Sequence, residues 1–152
     1  MKNEKGFSLI EVMIAIALLG VIGVAFLGAL ATASNAIFIA DERATAESLA
    51  RSQMEFVKNQ VYITAADYEL GVPGTGEVTY EKIADAGIPV GYIICSVNRS
   101  GDTVEDIIYG VPWDSQNNIP VDNDDGLQRI KLIIKHLDKP EVITLEGYKV
   151  DR

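Results

Sequence analysis

Glu11 is the only ionisable side chain between Phe7 and Ala40. It stands near the start of the longest apolar run of the chain, in the stretch Lys5-Gly6-Phe7-Ser8-Leu9-Ile10-Glu11-Val12-Met13. A carboxylate placed in a bilayer costs on the order of 2.5–3.5 kcal/mol, so Glu11 needs a partner there. Cleavage between Gly6 and Phe7 would supply one. The new α-amino group would sit four residues from Glu11, and a helix brings positions i and i+4 together. A neighbouring copy of the chain could offer the same amine. The chemistry implied at this end is an ion pair created by processing.

Other residue types capable of chemistry are few. The acidic cluster Asp122-Asn123-Asp124-Asp125-Gly126 could hold Ca²⁺, a hard cation that takes several oxygen ligands. Asp122, Asp124 and Asp125 are the candidate ligands, but their spacing does not fit an EF-hand loop, and a solvated turn is the plainer reading. His136 is the only histidine and has no obvious nucleophile beside it. Cys95, the only cysteine, lies in the apolar stretch Tyr92-Ile93-Ile94-Cys95, so no intrachain disulfide can form. A small buried core residue fits it better than a reactive thiol. Trp113 is the only tryptophan; it reads as part of a polar loop from Pro112 to Gly126, either pinning that loop to a sheet or serving as an exposed contact. No Gly-x-Ser-x-Gly, phosphate-binding loop or dinucleotide-binding glycine pattern is present. The expectation is a protein that is not an enzyme and has no cofactor, with Ca²⁺ the one metal worth weighing.

The element that must position Glu11 is the apolar run itself, and three readings compete for it. Lys2 and Lys5 ahead of an apolar stretch, with Ala31-Thr32-Ala33 behind it, resemble a secretory signal peptide. However, the apolar stretch exceeds the usual length of about 7–15 residues. An ordinary transmembrane helix needs only about 20 residues for a core of about 30 Å. Phe7 to Ala40 would be about 51 Å long as a helix at 1.5 Å per residue. Neither reading uses Glu11 or the surplus length. A segment cut after Gly6 and then buried against other helices uses both.

Gly6-Phe7-Ser8-Leu9-Ile10-Glu11-Val12 resembles the processing motif of type IV pilin-like proteins, which include pilins and the pseudopilins of type II secretion. The resemblance rests on a short basic leader, a Gly-aromatic junction, a Glu at the fifth position after it and a long uninterrupted apolar run. It implies cleavage after Gly6 by a prepilin peptidase and N-methylation of Phe7. It also implies that Glu11 guides assembly by pairing with the amino terminus of an adjacent subunit. One departure is informative. Many major pilins carry a proline in mid-helix, whereas Gly28 stands at the corresponding position and no proline precedes Pro73. This departure points to a minor pilin or pseudopilin.

From Asp41 onward the chain changes character. Ala46, Leu49, Ala50, Gln53, Val57 and Val61 recur at three- and four-residue steps and form one stripe. One helix is therefore expected from about Phe7 to about Val61, with Glu47, Arg51, Glu55 and Lys58 on its solvated face. The stretch Gly71-Val72-Pro73-Gly74-Thr75-Gly76 reads as a loop. Strands are expected at Glu77–Tyr80, Val90–Val97, Asp106–Val111, Gln128–His136 and Val142–Lys149. The second and third would form a hairpin through a turn at Asn98–Asp102. Ile130, Leu132 and Ile134 would face the helix, with Lys131 and Lys135 facing out. Asp138-Lys139-Pro140-Glu141 would close the last hairpin, whose Thr-Leu and Tyr-Lys pattern is also similar to that of minor pilins.

The fold class is thus α+β, a long helix packed on a small antiparallel sheet. The expected organisation is a cleaved leader (1–6), a hydrophobic transmembrane and assembly helix (7–40) and a soluble pilin-like domain (41–152). Net charge is −9 overall; Lys2 and Lys5 against Glu4 leave the leader at +1, so the chain from Phe7 onward carries −10. That balance argues against a specific nucleic-acid partner, which needs clustered Lys and Arg. The resemblance implies a structural subunit of a type IV pilus or type II secretion-like filament. Such a subunit is held in the cytoplasmic membrane by a single pass and then moves to an extracytoplasmic filament. Its implied partners are the prepilin peptidase, other pilin subunits, the membrane and an assembly platform. The alternative is a membrane-anchored or fibre-tip binding module for adhesion or DNA uptake.

Overall fold

The computed structural model describes residues 8–64, 78–121, 124–137 and 139–152. The chain divides into two compact units, Met1–Asp41 and Glu42–Arg152. A single helix, α1 (Leu9–Asn59), is 51 residues long. It is followed by an antiparallel sheet that completes an α+β fold: β1 (Val78–Tyr80), β2 (Tyr92–Val97), β3 (Thr103–Glu105), β4 (Ile108–Asp114), β5 (Ile119–Pro120), β6 (Leu127–His136) and β7 (Lys139–Val150). β6 is the centre of the sheet. β7 runs along one of its edges, while β2 and β4 share the other. β1 and β5 extend β4, and β3 extends β2.

The core of the second unit forms where the amphipathic part of α1 meets this sheet. Ala46, Leu49, Ala50, Gln53, Met54 and Val57 are its buried helical residues. They pack with Val78, Tyr80, Ile94, Ile108, Ile130, Leu132 and Ile134. The expected alternation in β6 is present, because Ile130, Leu132 and Ile134 are fully buried. The helical stripe is corrected at its end. Helix α1 stops at Asn59, Val61 is exposed, and Met54 takes a core position. Gly147 on β7 makes room for Met54, since a Cβ there would lie 2.8 Å from its sulfur. Cys95 is fully buried in a second cluster with Val97 and Ile133, where burial raises its thiol pKa.

Polar side chains fix the helix against the sheet where apolar contact alone has no direction. Gln53 is fully buried. It donates to the Glu81 carbonyl (3.1 Å) and accepts from the Ile83 N–H (2.9 Å), completing both groups as a strand would. Gln60, just past the end of α1, donates to the same carbonyl and accepts from the Glu81 N–H. Lys149 on β7 closes the carboxy end of α1. Its ammonium donates to the carbonyls of Val57 (2.7 Å), Lys58 (3.3 Å) and Gln60 (2.6 Å). These are among the groups a helix terminus leaves without intrahelical partners. Burial holds the Lys149 ammonium below the usual lysine range.

Three expectations from the sequence are corrected. The strand after the Asn98–Asp102 turn is interrupted at Asp106, a non-glycine residue at φ 62°. Only the short β3 hairpins with β2, and β4 leaves to pair with β1 and the start of β6. The polar loop from Pro112 to Gly126 is shorter than expected. Pro112 to Asp114 belong to β4, and Asp114 builds a tight hairpin to β5. Its carboxylate accepts from the Asn117 side-chain amide and from the Gln116 and Asn117 N–H groups, bonds that in that order hold it below its usual pKa range. Lys139 already pairs with His136, so the last connection is tighter than Asp138–Glu141. Asp138 lies outside the described residues, as do the expected loop at Gly71–Gly76 and Glu77 of the first expected strand.

Replacing Gln53 by Leu leaves the Ile83 N–H without its acceptor, and Lys149→Met withdraws the donors from three carbonyls. Each change is expected to lower unfolding stability by about 1–3 kcal/mol, measured by denaturant titration in detergent. An unchanged midpoint for both variants would contradict the anchoring roles.

Candidate functional site

The candidate site is the start of α1. Gly6 and Phe7, the two sides of the expected cleavage, lie outside the described residues. Ser8 is the residue just before the helix, and its carbonyl accepts from the Glu11 N–H (3.0 Å) and the Val12 N–H (3.2 Å). Glu11 is thus the third helical residue, in the first turn. An acid there is favoured by the helix dipole, typically by about 0.3–1 kcal/mol. The spacing Ser8-x-x-Glu11 is also that of a capping box, in which such a Glu serves the first backbone donors. That signal is present in the sequence and was missed there. Glu11 is therefore suited to its position in two ways: to the positive end of its own helix and to any amine brought close to it.

The rest of α1 in the first unit is uncovered. From Leu9 to Ile39 its large apolar side chains are exposed. Its most apolar stretch is not buried at all, and the helix is long and apolar enough to cross a membrane. The exceptions to apolarity are small. The Thr32 hydroxyl donates to the Gly28 carbonyl (3.0 Å), so it is satisfied inside its own helix, as a hydrocarbon environment demands. A Cβ added at Gly20, Gly23 or Gly28 would meet nothing within 4 Å. These glycines therefore leave open surface for another helix to approach.

A family model described as the prokaryotic N-terminal methylation motif matches residues 1–27. This chain carries the prepilin-type processing signal. The methylation motif thus ends inside the uncovered apolar part of α1, and Ser8 and Glu11 fall within it. No curated protein and no solved structure matches the chain.

The other candidates take structural places. Asp122 lies outside the described residues. Asp124 accepts from the Tyr62 hydroxyl, from Gln128 Nε2 and from the Gly126 N–H. Gln128, fully buried, also donates to the Ile63 carbonyl (2.9 Å) and accepts from the Tyr80 hydroxyl (2.5 Å). Burial, with the Asp124 carboxylate beside them, raises both tyrosine hydroxyls above their usual range. Asp125 is exposed, and among the described residues no three acidic, His or Cys side chains converge as a metal site. Trp113 is not an exposed loop contact. It lies in β4, only 6% exposed, beneath the Arg129 guanidinium at 3.5 Å from the ring centroid.

His136 belongs to a cluster that sequence spacing could not reveal. Its Nδ1 lies 2.9 Å from Glu42, the first residue of the second unit, and Lys139 Nζ bonds the other carboxylate oxygen. Tyr92 stacks on the imidazole at 4.4 Å and donates to the Glu42 carbonyl (3.2 Å). The cluster ties the sheet to α1 directly after the apolar segment.

The hydrogen bond from Lys139 chiefly, opposed by partial burial and aided by His136, holds the Glu42 carboxyl below its usual range. An acid with a depressed folded pKa contributes stability that is in place above its ordinary pKa and is lost as pH falls through the depressed one. Glu42→Gln is therefore expected to lower stability at neutral pH and to flatten the acid limb of the stability–pH curve, so that the two proteins converge at acid pH. An unchanged acid limb, followed by thermal unfolding, would contradict this. For the processing signal, Gly6→Val is expected to leave the leader attached, read as a larger mass of the membrane-extracted protein.

Proposed function

We propose that this protein is a minor structural subunit, a minor pilin or pseudopilin, of a type IV pilus or type II secretion-like filament. One observation carries the proposal: the methylation motif over residues 1–27 coincides with a helix whose apolar side chains are exposed. A signal for processing and an unburied apolar helix together describe a subunit stored in one environment and used in another. The motif itself supports the coarser statement, a type IV pilin-like or pseudopilin subunit.

The proposed cycle has three steps. The apolar helix first holds the subunit in the cytoplasmic membrane, with the sheet-bearing unit outside. A prepilin peptidase then cuts between Gly6 and Phe7, and the new amino group is methylated without losing its charge. An assembly platform finally extracts the subunit, and apolar helices of neighbouring copies cover one another, gaining roughly 25 cal/mol per Å² of apolar surface removed from contact with water. Lipid is itself apolar, so the gain on leaving the membrane is smaller and comes from packing. Glu11 pairs with the amino terminus of an adjacent subunit. A desolvated ion pair adds little net stability but penalises mismatched positions, so Glu11 sets register more than strength. The role needs no cofactor and no catalytic centre. Gly28, in place of a mid-helix proline, and the absence of any proline before Pro73 favour a minor position over the bulk subunit.

Glu11→Val is expected to be processed normally yet to be depleted from sheared filaments, measured by immunoblot of the filament fraction against the membrane fraction. Wild-type incorporation of Glu11→Val would contradict the register role.

A further inference from the structure

Cations of the second unit readily find carboxylates, since 22 acidic residues stand against 13 Lys and Arg in the chain. Arg51 pairs with Glu47, Lys82 with Asp85 and Asp106, Lys135 with Glu105 and Lys139 with Glu42. Arg129 is different. No acceptor among the described residues takes its donors. Its guanidinium is nevertheless placed, over the Trp113 ring at 3.5 Å from the centroid. Ile130, Leu132 and Ile134 of β6 pack with α1, so Arg129 stands on the opposite face of the sheet. Trp113 reaches it from β4, and Tyr148 on β7 is its direct cross-strand neighbour.

Stacking rather than hydrogen bonding holds this arginine. Arg129 Nε and Trp113 Nε1 are both enclosed without an acceptor. Enclosed donors left unsatisfied carry a desolvation cost, so the fold gains little from the pair by itself. The terminal nitrogens of Arg129 are not among the enclosed atoms, and the residue is partly exposed. A planar fork of donors is thereby held in one orientation with its tip uncommitted. Such a fork matches a carboxylate through two parallel bonds. A preset orientation also lowers the ordering cost of binding.

The surroundings extend the site. Tyr148 is 40% exposed, Val150 51% and Val61 82%. These three line a cavity of about 540 Å³ beside the end of α1, together with Lys58 and Arg152. Asp151 is the one acidic side chain that lines it. A chain of net charge −9 thus carries a cationic and apolar surface here. Trp, Arg and Tyr are the residue types that concentrate binding energy in protein interfaces. An open sheet face gives a small anion little enclosure, and the net charge disfavours nucleic acid.

We propose that Arg129, held by Trp113 and flanked by Tyr148, binds a carboxylate of an acidic segment on a protein partner, whose apolar side chains enter the cavity beside Tyr148. The site lies wholly within the second unit and does not depend on how the apolar helix is used.

The test uses the full chain in zwitterionic detergent. The probe is a blocked, dye-labelled peptide of alternating glutamate and valine, and the control peptide has glutamine in place of glutamate. Dye anisotropy reads affinity. Trp113, the only tryptophan, reads location through its emission. The expected result is saturable binding of the glutamate peptide with a shift in Trp113 emission, weakened by salt, and neither effect with the glutamine peptide. Arg129→Gln is expected to weaken binding about tenfold. Arg129→Lys keeps the charge but not the fork, and is also expected to bind more weakly. Circular dichroism identifies the folded variants, and either one suffices. No binding, equal binding of the two peptides, or wild-type affinity in a folded variant would overturn the site. Trp113 emission that shifts with protein density in the absence of peptide would assign the surface to a second copy and overturn the separate partner.

Discussion

An apolar helix whose large side chains stand exposed among the described residues calls for an environment that takes them out of water. Residues 9–39 of α1 expose their large side chains all round. Lipid and apolar helices are environments that can remove such a surface from water. A processing signal at the start of the same helix fits a chain that uses both in turn. The single carboxylate of this segment, Glu11, lies in the first turn of α1 and gains from the positive end of its own helix.

The second unit solves a different problem. It must hold a rigid shape on the continuation of the same helix, in water, with a small core. It does so by burying one stripe of α1 on the β6-centred sheet and directing the contact with amides and one ammonium. Gln53 and Gln60 complete the backbone of the segment after β1, Gln128 joins Tyr80 to Asp124 and Ile63, and Lys149 closes the helix end. At the opposite end, Glu42 binds His136 and Lys139. The helix is thus fastened at both ends of the sheet. The fastening at Glu42 involves the first residue of the second unit.

The periodic features were legible in the sequence. The length of α1, its buried stripe up to Val57, the alternation of Ile130, Leu132 and Ile134 and the long last hairpin all follow from apolar spacing. The processing signal over residues 1–27 was legible because residue type and spacing coincide there. Strand pairing was not. Asp106 adopts a positive φ and ends the short β3, which sent β4 to partners that no local pattern names. Asp114 turned part of an expected loop into a hairpin, a signal that Asp-x-x-Asn could have given. The buried glutamines and Lys149 were illegible as anchors, because a polar residue inside a stripe reveals its partner only when the sheet is in place. The structural place of Asp124 is hidden for the same reason: its partners Tyr62 and Gln128 are far away in sequence or lie beyond a turn.

The most direct measurement is the intact mass and amino-terminal sequence of the protein recovered from filaments. The account requires loss of residues 1–6 and a first residue, Phe7, that carries one added methyl group. A mature chain that retains the leader, or one cut near Ala33 with the apolar helix removed, would contradict it.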